Sequence, residues 1–210
     1  MPDLSFFLRG MIIGFSIAAP VGPIGVLCLR RTLSEGRLCG FVSGLGAATA
    51  DAGYGMIAAL GLTIVTAFLV DQAPGLRLIG GLYLCYLGLK TFCSRPAERS
   101  GDIAPRGRGL LGAYTSTLFL TLTNPLTIMS FLAVFAGLGL TQSQGALSAW
   151  LLVLGVFSGS ALWWFLLSGA ASLLRAKLNT PGLRSVNRIS GTIILAFGVA
   201  VLYGLLAAPS

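Results

Sequence analysis

The chain has 210 residues, 55% of them apolar and only 10% charged, with a mean hydropathy of +0.89 and a net charge of +8. Soluble domains carry about 25% charged residues, so the composition excludes an ordinary soluble domain and points to an all-α integral membrane protein. The positive balance does not indicate nucleic acid as a partner, because Lys and Arg fall in short clusters between apolar runs, as orientation signals do.

Six apolar runs match or approach the ~20 helical residues that span a hydrocarbon core: Gly10–Leu29, Gly40–Phe68, Leu76–Phe92, Gly112–Leu138, Ala146–Leu174 and Ile189–Ala207. A closed β-barrel would need alternating apolar and polar residues, and none of the runs alternates. Run one is followed by Arg30 and Arg31 and preceded by Asp3 and Arg9. That is the wrong flank order for a cleavable signal peptide, whose positive charge comes first. Its middle reads Ala19-Pro20-Val21-Gly22-Pro23. Each proline removes a backbone donor and crowds the preceding turn, so a break is predicted there. The carbonyls set free by a break need a neighbour, a water or a substrate as partner.

Run two carries Gly40, Gly44, Gly46, Gly53, Gly55 and Gly61, and the region from Leu38 to Ala67 contains one charged residue, Asp51. Small residues at four-residue spacing let helices approach closely, within a bundle or across a homodimer. A carboxylate in hydrocarbon costs about 2.5–3.5 kcal/mol on insertion scales, and such groups face a bundle interior or wet cavity on an ion or substrate path. Asp51 lies 11 residues past Gly40, roughly 16 Å along a helix rising 1.5 Å per residue, near the middle of the core. The bland alternative is a neutral carboxyl hydrogen-bonded to a neighbouring helix. Tyr54 follows three residues later on the same helix face, placed either to bond the carboxyl or to pack as an aromatic.

The four cysteines form no CxxC pair and the chain has no histidine. No metal site or cofactor is therefore expected. The segment Ser94–Gly109 is a polar, Pro/Gly-rich linker dividing the chain near its middle. Run four carries Thr123-Asn124-Pro125, a second predicted break, and run five carries Trp163 and Trp164 away from the interfaces where Trp collects.

Twelve of the fourteen basic residues fall on one side if the runs cross six times. The positive-inside rule makes that side cytoplasmic, with both termini outside. The halves resemble each other. Gly81 and Gly88 correspond to Gly191 and Gly198, and Pro23 to Pro125; matching Gly46 to Gly155 sets Asp51 opposite Ser160 and Tyr54 opposite Trp163. Three crossings per half make this an inverted repeat, 1–93 and 110–210 joined by 94–109. Such repeats place substrate at the midplane between broken helices.

The segment from Ala19 to Gly55 resembles the first two helices of the LysE-type translocators, the lysine-exporter and homoserine/threonine-resistance exporters of bacteria. The resemblance rests on Pro20-Val21-Gly22-Pro23, Arg30-Arg31, the glycines of run two and Asp51, with Asn124-Pro125 in run four. It departs from the usual P-G-P by one extra residue between the prolines. It implies export of amino acids or related small metabolites across the bacterial inner membrane by the proton-motive force, without an enzymatic step. On this reading Asp51 takes the substrate amine or the coupling proton, and backbone near Pro20, Gly22, Pro23, Asn124 and Pro125 holds the other end. Tyr54 and Trp163 line the path. The alternative on the same fold is a divalent-cation exporter. Hard cations want several oxygen ligands, and one deep carboxylate supplies a poor cage.

Overall fold

The computed structural model describes residues 2–20, 22–59, 71–94, 107–124, 126–131, 146–175, 178 and 180–206, and its regular elements there are all helical. They are α1 (Pro2–Ala18), α2 (Pro23–Glu35), α3 (Arg37–Ala59), α4 (Ala73–Phe92), α5 (Gly107–Leu122), α6 (Ala146–Arg175) and α7 (Thr180–Leu206). A short helical stretch over 126–131 follows α5. The ends of runs two and four, 60–68 and 132–138, lie outside the described residues, as do 95–106 of the linker.

Run one is broken where its prolines predict. The last α1 hydrogen bond runs from the Ala19 N–H to the Phe15 carbonyl at 3.0 Å, and Pro20 has no N–H to continue it. Helix α2 restarts with Gly22 as N-cap and Pro23 in its first turn, where a missing N–H costs nothing. The two helices meet at 82°. Expected to end at Leu29, the run instead continues as helix to Glu35, which places Arg30 and Arg31 inside α2 rather than in a loop. What stops it is Gly36, at φ 108°. Its N–H closes the Arg31 and Thr32 carbonyls, both at 3.1 Å, a left-handed C-terminal role suited to glycine.

The second break also falls in place. Helix α5 ends at Leu122, and the chain turns at Thr123 and Asn124 before helix resumes at 126. Run six begins earlier than expected, since α7 opens at Thr180. Pro181 suits a first turn, and the polar turns through Asn187 find partners: Asn187 is 1% exposed and accepts the Arg30 Nε–H at 3.1 Å.

Helix α6 is the packing centre, lying against α1, α2 and α3, while α3 also packs on α5 and α4 on α7. Glycines decide how closely. On α1, a Cβ at Gly10 or Gly14 would run into the backbone at Leu152 and Val156 of α6; on α6, one at Gly155 or Gly159 would run into α1 at Phe7 and Met11. Helices α4 and α7 meet reciprocally: a Cβ at Gly198 would lie 3.0 Å from the Gly81 carbonyl, and one at Gly191 would lie 2.8 Å from the Gly88 carbonyl. With lipid tails as apolar as the side chains, such backbone proximity supplies the dispersion that holds membrane helices together. The glycines of run two are used inside the bundle, Gly40 against Thr32, Gly44 against the Trp164 side chain and Gly46 against the Tyr114 carbonyl. Of the described glycines on α3, Gly53 alone meets open space.

The outward faces carry exposed Ile12, Leu82, Leu154, Leu173 and Tyr203, an apolar surface suited to lipid rather than water. Leu147–Leu174 and Pro181–Leu206 are each long and apolar enough to cross a bilayer, and the bent α1–α2 pair passes the same test when its two helices are taken together as one span.

Candidate substrate and proton site

Asp51 sits on α3 and is 3% exposed. Its carboxyl is met from the other half of the chain: the Ser160 hydroxyl on α6 donates to Oδ2 at 2.7 Å. Ser160, itself fully buried, accepts the indole N–H of Trp164 at 3.1 Å. Trp164, Ser160 and Asp51 thus form a donor chain ending on the carboxylate. A hydrogen bond to a charged group is worth about 1.5–3 kcal/mol, and leaving the acceptor bare in a buried site costs more than that gain. No basic side chain lies within ion-pair distance of Asp51 among the described residues.

Tyr54 is buried on the same helix, but its hydroxyl turns elsewhere. It donates to the Leu122 carbonyl at 2.6 Å, and its ring tilts against Phe131 at 5.7 Å. The physical reason lies in the break after α5. The Thr121 carbonyl would be served by residue 125, a proline with no N–H, and takes the Asn124 N–H at 3.2 Å instead. The Leu122 carbonyl would be served by Leu126, whose N–H goes to Asn124 Oδ1 at 3.1 Å. Tyr54 supplies the missing donor. The freed carbonyl has found a neighbour, one of the three partners that chemistry allows, and Asn124 acts as a side-chain cap on the next helical turn.

At the first break, Pro20 is exposed, Gly22 half-buried and Pro23 buried. The N-cap of α2 is Gly22, which has no side chain to cap it, and Pro23, Ile24 and Gly25 of the first turn are buried, so the positive end of the helix dipole lies at a buried helix start. Pro125 lies outside the described residues. Trp163 is half-buried and meets Phe15 edge-on, centroids 5.4 Å apart; the tryptophan joined to Asp51 is its neighbour Trp164. Among the described residues no group of three or more His, Cys, Asp or Glu converges as a metal cage would.

Sequence reasoning treated Arg31 as an orientation signal, but it is 9% exposed. Its Nη1 donates to the Ser43 and Thr117 hydroxyls and the Ala113 carbonyl, all at 2.9 Å, and its Nη2 to the Ser116 hydroxyl at 2.8 Å. The signal that pointed there is the hydroxyl run Tyr114-Thr115-Ser116-Thr117 in an otherwise apolar stretch, together with Ser43.

A helical bundle with a broken first helix, a buried carboxyl without an ion-pair partner among the described residues and apolar outward faces fits an integral membrane transport protein. The chain matches the family model described as LysE type translocator over residues 15–205, and it belongs to that family. It is 28% identical over 200 residues to the "Putative amino acid efflux protein YcgF" of Bacillus subtilis (strain 168), covering 93% of this chain and 94% of that protein. It is also 25% identical over 182 residues to the "Uncharacterized membrane protein YahN" of Escherichia coli (strain K12), covering 83% and 79% respectively. No solved structure matches it significantly.

Proposed function

We propose that this translocator exports amino acids or related small metabolites across the bacterial inner membrane, driven by the proton-motive force. One observation carries the reading: the buried Asp51 carboxyl is met by the neutral Ser160 hydroxyl at 2.7 Å, with no cation paired to it among the described residues. A carboxyl so placed alternates between carrying a proton and attracting a substrate amine, which is the exchange an exporter coupled to protons needs. The uncapped α2 N-terminus near Gly22 and Pro23 suits the substrate's anionic end. The name of the Bacillus relative supports amino acids as the substrate class.

The alternating-access frame is two inverted three-helix repeats, 1–93 and 110–210 about the linker 94–109. Reciprocal packing supports it. The matched pairs Gly81/Gly191 and Gly88/Gly198 meet crosswise between α4 and α7, as residues do across a two-fold axis. The matched pair Asp51 and Ser160 touch each other. Helix α1 packs on α6 as α5 packs on α3.

The test is efflux from cells loaded with dipeptides, comparing the wild type, Asp51→Asn and an empty membrane, with and without an uncoupler. Export of one amino-acid class that stops with the uncoupler and with the substitution supports the reading. Near-normal export by Asp51→Asn removes Asp51 from the mechanism. No amino-acid efflux from folded protein removes the substrate class and directs attention to metal efflux.

A further inference from the structure

We infer that the cleft between α2, α4 and α5, at the end of the bundle where Arg30, Arg31 and Lys90 gather, is a carboxylate-binding site with Arg31 at its base. The cleft holds about 610 Å³ of open space, within the ~300–1,000 Å³ typical of small-ligand pockets. It does not include Asp51.

The charges in the cleft are not balanced. Arg30 is fully engaged: Nη1 on Glu35 at 3.1 Å, Nε on Asn187 at 3.1 Å and Nη2 on Ser94 at 3.0 Å. Glu35 is thereby used, and Arg30–Glu35 is the one ion pair among the described residues. Arg31, more deeply buried, meets four neutral oxygens and no carboxylate. Lys90 leans on Tyr86, its Nζ 5.5 Å from the ring centroid, also without a carboxylate. Among the described residues, two positive charges thus face a cleft whose one lining carboxylate, Glu35, is already paired with Arg30.

The guanidinium is also held in a fixed orientation. Three oxygens fasten Nη1 and one fastens Nη2, so the rigid five-donor fork is set by α3 and α5. Its Nε–H has no acceptor among the described residues, and because no buried side-chain nitrogen there lacks a partner, Nε is not fully enclosed, in a residue that lines the cleft. A planar fork held by its far side and open along its near edge suits an arriving carboxylate better than a point cation would. Leu27, Leu87, Phe119 and Tyr83 make the apolar part of the wall, which suits a ligand with an apolar body.

Assignment of that ligand to the exported metabolite rests on the exporter reading. Ser43, which holds Arg31, precedes Asp51 by eight residues on α3, about 12 Å at 1.5 Å per residue. A substrate held by its carboxylate at Arg31 waits two helical turns from the group that would take its amine.

The test is thermal unfolding of the full-length chain in pure phosphatidylcholine nanodiscs, with sodium propionate and with propionamide at equal ionic strength. Propionate is expected to raise the unfolding temperature and propionamide to leave it unchanged. Arg31→Lys keeps the charge and loses the fork, and is expected to weaken propionate binding about tenfold. Lys90→Gln, at the exposed rim where folding is not at stake, is expected to weaken it about threefold. Equal effects of propionate and propionamide overturn the inference, as does unaltered binding by both variants. Stabilisation by phosphatidylglycerol that abolishes the propionate response also overturns it, in favour of a lipid headgroup. Because binding is read without transport, propionate binding in a chain that exports nothing would fell the exporter reading alone. Export without propionate binding would fell the carboxylate site alone.

Discussion

Ser160 donates its hydroxyl hydrogen to Asp51 Oδ2 at 2.7 Å across 109 residues of chain, joining the middle of α3 to the middle of α6. The bond also fixes Trp164, whose indole N–H ends on the same hydroxyl. Removing the hydroxyl therefore strips two groups of a partner at once. Ser160→Ala is expected to lower stability by about 2–3 kcal/mol, and Asp51→Asn to blunt that loss because an amide depends less on the bond than a carboxylate does. A double-mutant cycle by detergent-induced unfolding should show coupling of about 1 kcal/mol or more between the two sites, beyond the ~0.3–0.5 kcal/mol of independent positions. Additive losses would mean that the hydrogen bond contributes nothing to the fold.

At the second break, Tyr54→Phe keeps the ring against Phe131 and removes the donor to Leu122. A buried carbonyl left bare costs about 1–3 kcal/mol, so the variant should unfold at correspondingly milder detergent or temperature. The loss should appear locally as faster amide exchange around Leu122 and Leu126. Unchanged exchange and stability would mean that a water replaces the hydroxyl.

Much of this was legible from residue types. Prolines 20 and 125 mark both breaks because each lacks the N–H that would continue the helix and crowds the preceding turn. Asp51 marks the buried centre because no other charge occurs near it. The destination of the Tyr54 hydroxyl was not legible, since it depends on which carbonyl of α5 lies opposite. Arg31 was hidden for a different reason. Its burial is decided by α2 running on past Leu29 until Gly36 stops it, and by hydroxyls more than 80 residues away, whereas a loop-by-loop charge count sees only an arginine near the end of an apolar run.

Glycines that share a composition should respond oppositely to the same change. An alanine methyl at Gly14 falls on the Val156 backbone of α6, while at Gly53 it meets open space. Gly14→Ala must push α1 off α6 and is expected to cost about 1–3 kcal/mol. Gly53→Ala should be neutral or stabilising by up to about 1 kcal/mol, as for glycine replaced within a helix. Thermal unfolding of the two variants side by side decides it, and equal effects would sink the close-packed α1–α6 contact.

Orientation can be read from a native thiol. Cys93 is exposed, whereas Cys28 and Cys39 are buried and Cys85 is half-buried. Cys93 follows α4 at the end where Lys90 and Arg30 gather, the side that the positive-inside rule assigns to the cytoplasm. A membrane-impermeant maleimide should therefore label inside-out vesicles rapidly and intact spheroplasts hardly at all. Substituting Cys93→Ser should abolish the signal in both. The opposite pattern, with spheroplasts labelled and inverted vesicles protected, would turn the molecule over. The carboxylate cleft would then open to the outside, where an exporter would release its substrate rather than collect it.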